Sequence, residues 1–221
     1  MKYNIKCAVF DMDGTLIDSL MTWDILWSKL GEKFLNDASF RPTCEDDKKV
    51  RTMTLKDAME LIHKTYGIGK SGAQLLDFAD LMMTDFYRNE VCMKPGAREC
   101  LEYLHENRVK MCIASATAPK LVALAIEHCG IGKYFEKLFS CADIGKGKDK
   151  PDIFLLASDY FGVPKEETWV FEDSAVAIET AHNADFKTVG IYDKYNFGHD
   201  IIEHLSDVYV SADETLLKVC K

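Results

Sequence analysis

The stretch "VFDMDGTLIDS", residues 9 to 19, sets three carboxylates, Asp11, Asp13 and Asp18, within eight positions directly after an apolar run. Aspartate and glycine form turns and strand ends meet solvent, which accounts for Asp11 or Gly14 singly but not for the whole string. Acidic and hydroxyl residues follow other apolar runs as well: Ser115 and Thr117 after "VKMCIA", Glu172 and Asp173 after "TWVF". If these runs are parallel strands of one open sheet, their carboxyl ends share the crevice where such sheets bind ligands. Carboxylates crowded there repel and raise one another's pKa values, and a divalent cation offsets the repulsion. An all-oxygen donor set, with no His or Cys at ligand spacing, points to Mg2+, which commonly takes one or two carboxylates plus phosphate oxygens. The loop "GKGKDKPDIF", residues 145 to 154, adds three lysines in five positions. Lys146 and Lys150 read as solvated, but one lysine beside an acidic rim would hold both a nucleophilic carboxylate and an incoming phosphate.

The elements that must position these groups are short. "IKCAVF" (5 to 10), "VKMCIA" (109 to 114), "TWVF" (168 to 171) and "KTVGI" (187 to 191) are apolar nearly throughout, with "KLFS" (137 to 140) a weaker candidate. Continuous apolar runs of this length predict strands covered on both faces. Helical patterns lie between them, in "GARECLEYLHEN", "PKLVALAIEHCG", "DIFLLASDYFG" and "SAVAIETAHNA". Pro119 stands where a first helical turn accepts proline, and Gly130 and Gly162 where helices stop. The alternation predicts an α/β fold, a parallel sheet with helices on both faces. Residues 19 to 92 break the rhythm. They read as helices only, with Leu20, Trp23, Trp27, Leu30 and Phe34 on one face, so an all-helical domain (19–92) is expected inside a core domain made of 1–18 and 93–221.

Composition narrows the function classes. The chain of 221 residues is 48% hydrophobic, and its formal charge of −9 argues against a nucleic-acid partner, which needs basic surface. Eight cysteines, scattered without a CxxC pair, read as free thiols. "MKYNIKCAVFD" turns acidic too soon for a signal peptide, and no window approaches the roughly 18 apolar residues of a membrane span. A monomeric cytoplasmic protein with no membrane partner is the expectation.

Together, "DMDGT" after a hydrophobic strand, a hydroxyl residue after the second, a lysine three positions before Pro-Asp, and "FEDS" after the fourth resemble the four motifs of the haloacid dehalogenase superfamily. The resemblance covers residues 5 to about 191, and the helical insert resembles the subfamily of phosphoglycolate phosphatases, hexose-phosphate phosphatases and β-phosphoglucomutases. It implies a Rossmann-like core with a helical cap and a magnesium-dependent phosphatase acting on a small-molecule phosphate ester. In that family pattern Asp11 is the nucleophile that becomes an aspartyl phosphate. Asp13 is the acid and base for the leaving alcohol and then for water. Lys148 balances charge and touches phosphate. Asp11, Asp173 and the main-chain carbonyl of Asp13 ligate Mg2+, with Glu172 beside or on the metal. Gly14, Thr15, Ser115, Ala116 and Thr117 line the substrate phosphate.

The chain departs from the family at Asp149, where proline usually follows the lysine, and at Ala177 and Asp185, where glycines are usual. None of these removes a functional group. β-Phosphoglucomutases tend to carry valine at the position of Thr15 and a cap arginine where Leu55 aligns, so both residues favour a phosphatase over a mutase. A receiver-type signalling domain shares the aspartates and lysine but needs no helical lobe. An inactive binding protein should have lost one of Asp11, Asp13, Lys148 or Asp173, and all four are present.

Overall fold

The structure, a computed structural model, describes residues 2–51 and 53–220. It divides into two compact units, Met1–Leu20 with Val91–Lys221, and Met21–Glu90.

The first unit opens with β1 (Cys7–Phe10). The second unit then supplies α1 (Thr22–Leu35), α2 (Cys44–Val50), α3 (Leu55–Tyr66) and α4 (Gly72–Asn89). The chain returns through α5 (Ala97–Glu106), β2 (Lys110–Ser115), α6 (Pro119–Cys129), β3 (Lys137–Ser140), the short α7 (Cys141–Ile144) and α8 (Asp152–Phe161). It ends with β4 (Thr168–Glu172), α9 (Ala175–Asn183), β5 (Lys187–Ile191), α10 (His199–Leu205) and β6 (Val208–Val210).

The strands form one parallel sheet in the order β3-β2-β1-β4-β5-β6, a Rossmann-like α/β arrangement. β1 lies between β2 and β4 with Phe10 in register with Ile113 and Phe171, so the ends of three strands come level. All four β1 residues are buried, as an unbroken apolar run requires when both faces are covered. One face packs Cys7, Val9, Cys112, Ala114 and Val170 against Ile153, Phe154 and Ala157 of α8 and Ala177 and Ala181 of α9. Phe10 and Phe171 stack on the other, ring centroids 4.3 Å apart.

Three short elements of the core unit escape the sequence pattern, one of them the four-residue α7. β6 is three residues of an edge strand, too short to show a period, and α10 follows a polar turn. The helix stops hold: Gly130 and Gly162 cap α6 and α8 in the left-handed conformation, and Pro119 opens α6. Asp185, where the resemblance implies glycine, adopts φ 66°, a left-handed conformation with an aspartate in it.

In the helical unit α1 buries Thr22, Leu26, Trp27, Leu30 and Gly31, while Trp23 and Phe34 are only half-buried and Leu20 precedes the helix. The inward face is thus rotated from the expected one. Trp27 donates its indole N–H to Asp47 at 2.7 Å, a core role for that tryptophan. The polar helix α2 buries only Val50, and so carries no apolar stripe to read.

The two segments that connect the units run side by side. Asp18 N–H donates to Cys92 O and Lys94 N–H to Leu16 O, each at 2.9 Å, around an antiparallel bridge between Ile17 and Met93. All eight cysteines are free. Among the described residues no helix is long and apolar enough to cross a membrane.

Candidate active site

The level ends of β1, β2 and β4 gather the acidic and hydroxyl residues. Asp11 leaves β1 with its N–H bonded to Phe171 O at 2.9 Å, so its carboxylate is set by the sheet itself. Lys148 reaches in from the loop before α8 and donates to both Asp11 Oδ1 and Glu172 Oε1. The three side chains are nearly sealed, 10% exposed for Lys148 and Asp11 and 1% for Glu172. Lys146 pairs instead with Asp152, and Lys150 is exposed.

Glu172 Oε2 accepts from the N–H groups of Asp173 and Ser174 at 3.1 and 3.0 Å, just ahead of α9. Both of its oxygens therefore have donors, which fixes the carboxylate as the anchor for Lys148. Asp13 is oriented on both sides, with Ser19 Oγ donating to Oδ1 at 2.6 Å and Thr117 Oγ1 to Oδ2 at 2.8 Å. Ser115, buried at the end of β2, accepts from Thr117 N–H at 3.0 Å. Ala116 is exposed between them, in the turn that leads into α6.

Gly14 is required twice over. Its φ is +77°, and a Cβ there would stand 2.2 Å from Asp173 Oδ2. Thr15 is fully buried and donates its hydroxyl to Asp173 Oδ1 at 3.2 Å. The Thr15 and Thr117 side chains, expected to line the substrate phosphate, are thus placed against carboxylates of the site.

Asp11, Glu172 and Asp173 each offer an oxygen within 4.8 Å of the others, a group that could hold a metal ion. Fully ionised, these three buried carboxylates would outnumber Lys148, which pairs with Asp11 and Glu172, by two negative charges. That deficit equals the charge of one divalent cation, and the all-oxygen donor set suits a hard one such as magnesium. Burial, then Glu172 and Asp13, push the Asp11 carboxyl up to about 8 against the pull of Lys148. Asp173 is raised by burial first, then by Glu172 and Asp11. Burial opposes the charge on Lys148, but Asp11 and Glu172 overcome it and raise the ammonium above its ordinary value.

Sequence reasoning passed over Ser19 and Asn196. Ser19 closes the opening motif, and its spacing alone did not show that it folds back onto Asp13. Asn196 stands five residues past the end of β5, beyond the positions the strand-end rule covers, and its amide donates to Asp173 Oδ2 at 2.7 Å.

Comparison with known proteins places the chain in a family. Over 214 residues the chain is 23% identical to a phosphorylated carbohydrates phosphatase of Thermotoga maritima, covering 96% of this chain and 97% of that one. Over 220 residues it is 25% identical to a phosphoglycolate phosphatase of Pseudomonas fluorescens, covering 97% and 79% of the two. The crystal structure of β-phosphoglucomutase from Clostridium difficile shares the fold, with a TM-score of 0.70 and 17% identity over 94% of this chain and 91% of that one. The haloacid dehalogenase-like hydrolase model matches residues 5–185, the stretch that holds Asp11, Asp13, Lys148, Glu172 and Asp173, and the chain belongs to that family of hydrolases.

Proposed function

We propose that the protein is a magnesium-dependent phosphatase that hydrolyses a small phosphorylated metabolite, a sugar or polyol phosphate, through an aspartyl phosphate on Asp11. The observation that carries this reading is Lys148 bridging Asp11 and Glu172 beside Asp173 at the strand ends. The relatives named as phosphatases, one of them for phosphorylated carbohydrates, support the reaction and the substrate class.

In the first half-reaction an Asp11 oxygen attacks phosphorus and the phosphorus to ester-oxygen bond breaks, while protonated Asp13 gives its proton to the departing alcohol. In the second, ionised Asp13 takes a proton from water, whose oxygen attacks phosphorus. The bond to Asp11 breaks, inorganic phosphate leaves, and Asp13 is protonated again. Ser19 and Thr117 hold Asp13 in place through both steps. Ser115 and the backbone around Ala116 hold phosphate oxygens ahead of α6. The side chains of Asp11 and Asp173 and the Asp13 carbonyl would hold magnesium, with Glu172 adjacent. Bound there, the ion supplies charge stabilisation to the phosphoryl oxygens.

A mutase is the second reading, since β-phosphoglucomutase shares the fold. Thr15, whose hydroxyl donates to Asp173, bears on the choice less firmly than the cap. Leu55 bears on it more, because at the head of α3 it offers no cation for a distal phosphate. In a mutase Lys48, Lys49 or Arg51 would have to supply that cation, and Arg51 is engaged by Asp47 at 2.8 Å within the helical unit. The test is a panel of phosphorylated sugars and polyols with magnesium, including β-glucose 1-phosphate with and without its 1,6-bisphosphate. Free phosphate without any bisphosphate activator is expected. Isomerisation far outrunning phosphate release would overturn the phosphatase in favour of the mutase.

The raised carboxyl values give the metal a pH signature. Between its ordinary value of 3.8 and about 8, Asp11 in the folded protein keeps a proton that the unfolded chain has released. The native state then binds more protons, so this group makes metal-free stability fall as pH rises through that window. Asp173 acts in the same direction. Magnesium displaces those protons, so the stabilisation it confers should grow from about pH 5 to about pH 8. Urea midpoints with chelator and with magnesium measure this, and a metal increment that shrinks across the range would contradict it.

A further inference from the structure

The Asp173 carboxylate is held on both oxygens, and the tighter grip comes from outside the recognised motifs. Thr15 Oγ1 donates to Oδ1 at 3.2 Å, whereas Asn196 Nδ2 donates to Oδ2 at 2.7 Å and to the main-chain oxygen of the same residue at 2.8 Å. The amide orientation is determined by its other end, because Asn196 Oδ1 accepts from Phe197 N–H at 2.9 Å. Turning the amide over would set donor against donor there and acceptor against acceptor at Asp173.

Asn196 sits on a turn built around Asp193, a buried carboxylate two residues past β5. Asp193 Oδ1 accepts from Tyr195 N–H at 2.8 Å, and its carbonyl accepts from Asn196 N–H at 3.1 Å and lies 2.8 Å from His199 Nε2. Asp193 Oδ2 pairs with Lys94 Nζ at 2.8 Å, the two side chains being 2% and 13% exposed. Lys94 also donates to Tyr192 O at 3.0 Å, and its own N–H is bonded to Leu16. A continuous set of contacts therefore runs from the segment that re-enters the core, through Asp193 and its turn, to Asp173.

We propose that Asn196 is the positioning residue for the Asp173 carboxylate, and that the Lys94–Asp193 pair seats the turn that carries it. The inference rests on reading Asp173 as a metal ligand. A carboxylate among like charges gains by rotating away from them, and an amide that clasps both its side chain and its backbone removes that freedom. Partners of this kind, bonded to a ligand and not to the ion, typically contribute 10- to 100-fold to metal affinity.

Direct Mn2+ binding to the intact protein, followed by the electron paramagnetic resonance of the free ion, reads this without reference to turnover. Asn196→Ala should weaken Mn2+ binding by about tenfold or more, with the melting temperature in chelator little changed. Asn196→Ser, whose hydroxyl is too short to reach Asp173, should reproduce the loss. Lys94→Met combined with Asp193→Asn removes the ion pair but keeps an acceptor for Tyr195 N–H, and should give a smaller loss of the same sign. Wild-type affinity in both Asn196 variants would overturn the proposal. A wild-type protein that binds no Mn2+ would instead overturn the metal reading beneath it, and the proposal with it.

Discussion

Asp11→Asn is expected to lower phosphate release by at least about a thousandfold while leaving the fold intact. The amide is isosteric but a poor nucleophile, so the aspartyl phosphate cannot form. Lys148 retains Glu172 as a partner after the change, so no buried charge is orphaned. The carboxyl at position 11 is held up to about 8 by burial, then by Glu172 and Asp13. Removing it relieves repulsion, and the metal-free variant should melt no lower than wild type above that pH. Fluoroberyllate, which mimics an aspartyl phosphate, should bind the wild type and fail on the variant. Undiminished turnover in Asp11→Asn would remove Asp11 from the chemistry, and undiminished turnover of the wild type in excess chelator would remove the metal from it.

Asp13→Asn should slow both half-reactions, by about 100-fold or more each. Ser19 and Thr117 donate to the Asp13 oxygens, and at Oδ2 or Oδ1 the variant presents an NH2 to one of those hydroxyls. Each hydroxyl can rotate and accept, so the side chain keeps its place and the loss reports proton transfer. An activated acyl phosphate, whose leaving group needs little protonation, should still phosphorylate Asp11 in this variant. The phosphoenzyme should then persist and be visible by intact mass. Rapid dephosphorylation of that species would assign water activation to another group.

The strands and their acidic ends were legible for a physical reason. β1, β2, β4 and β5 are buried on both faces, so they read as apolar runs, and the residues just past each run must lie at the rim. That is why Asp11, Asp13, Ser115, Glu172 and Asp173 could be gathered without coordinates. β6 and α2 could not be seen, because three residues show no period and one buried valine makes no stripe. Within the site, residue types were readable but hydroxyl partners were not. Thr15 meets Asp173 across 158 positions and Thr117 meets Asp13 across 104, and which group a hydroxyl finds depends on torsions that spacing does not encode. Asn196 was hidden for the same reason, in a polar loop that looks like any other.

The paired connecting segments have an energetic consequence of their own. Because Ile17 bridges Met93 and Asp18 bonds to Cys92, the chain must bring together the two ends of the roughly 70 residues of Met21–Glu90 before the core can close. Were that stretch a flexible coil, closing it would cost about 2.5 kcal/mol more than closing a four-residue turn. Once α1 and α4, its first and last helices, pack together, that loop entropy has already been lost. The helical unit and the sheet thus support each other's stability through chain connectivity, by an amount comparable to a buried side chain.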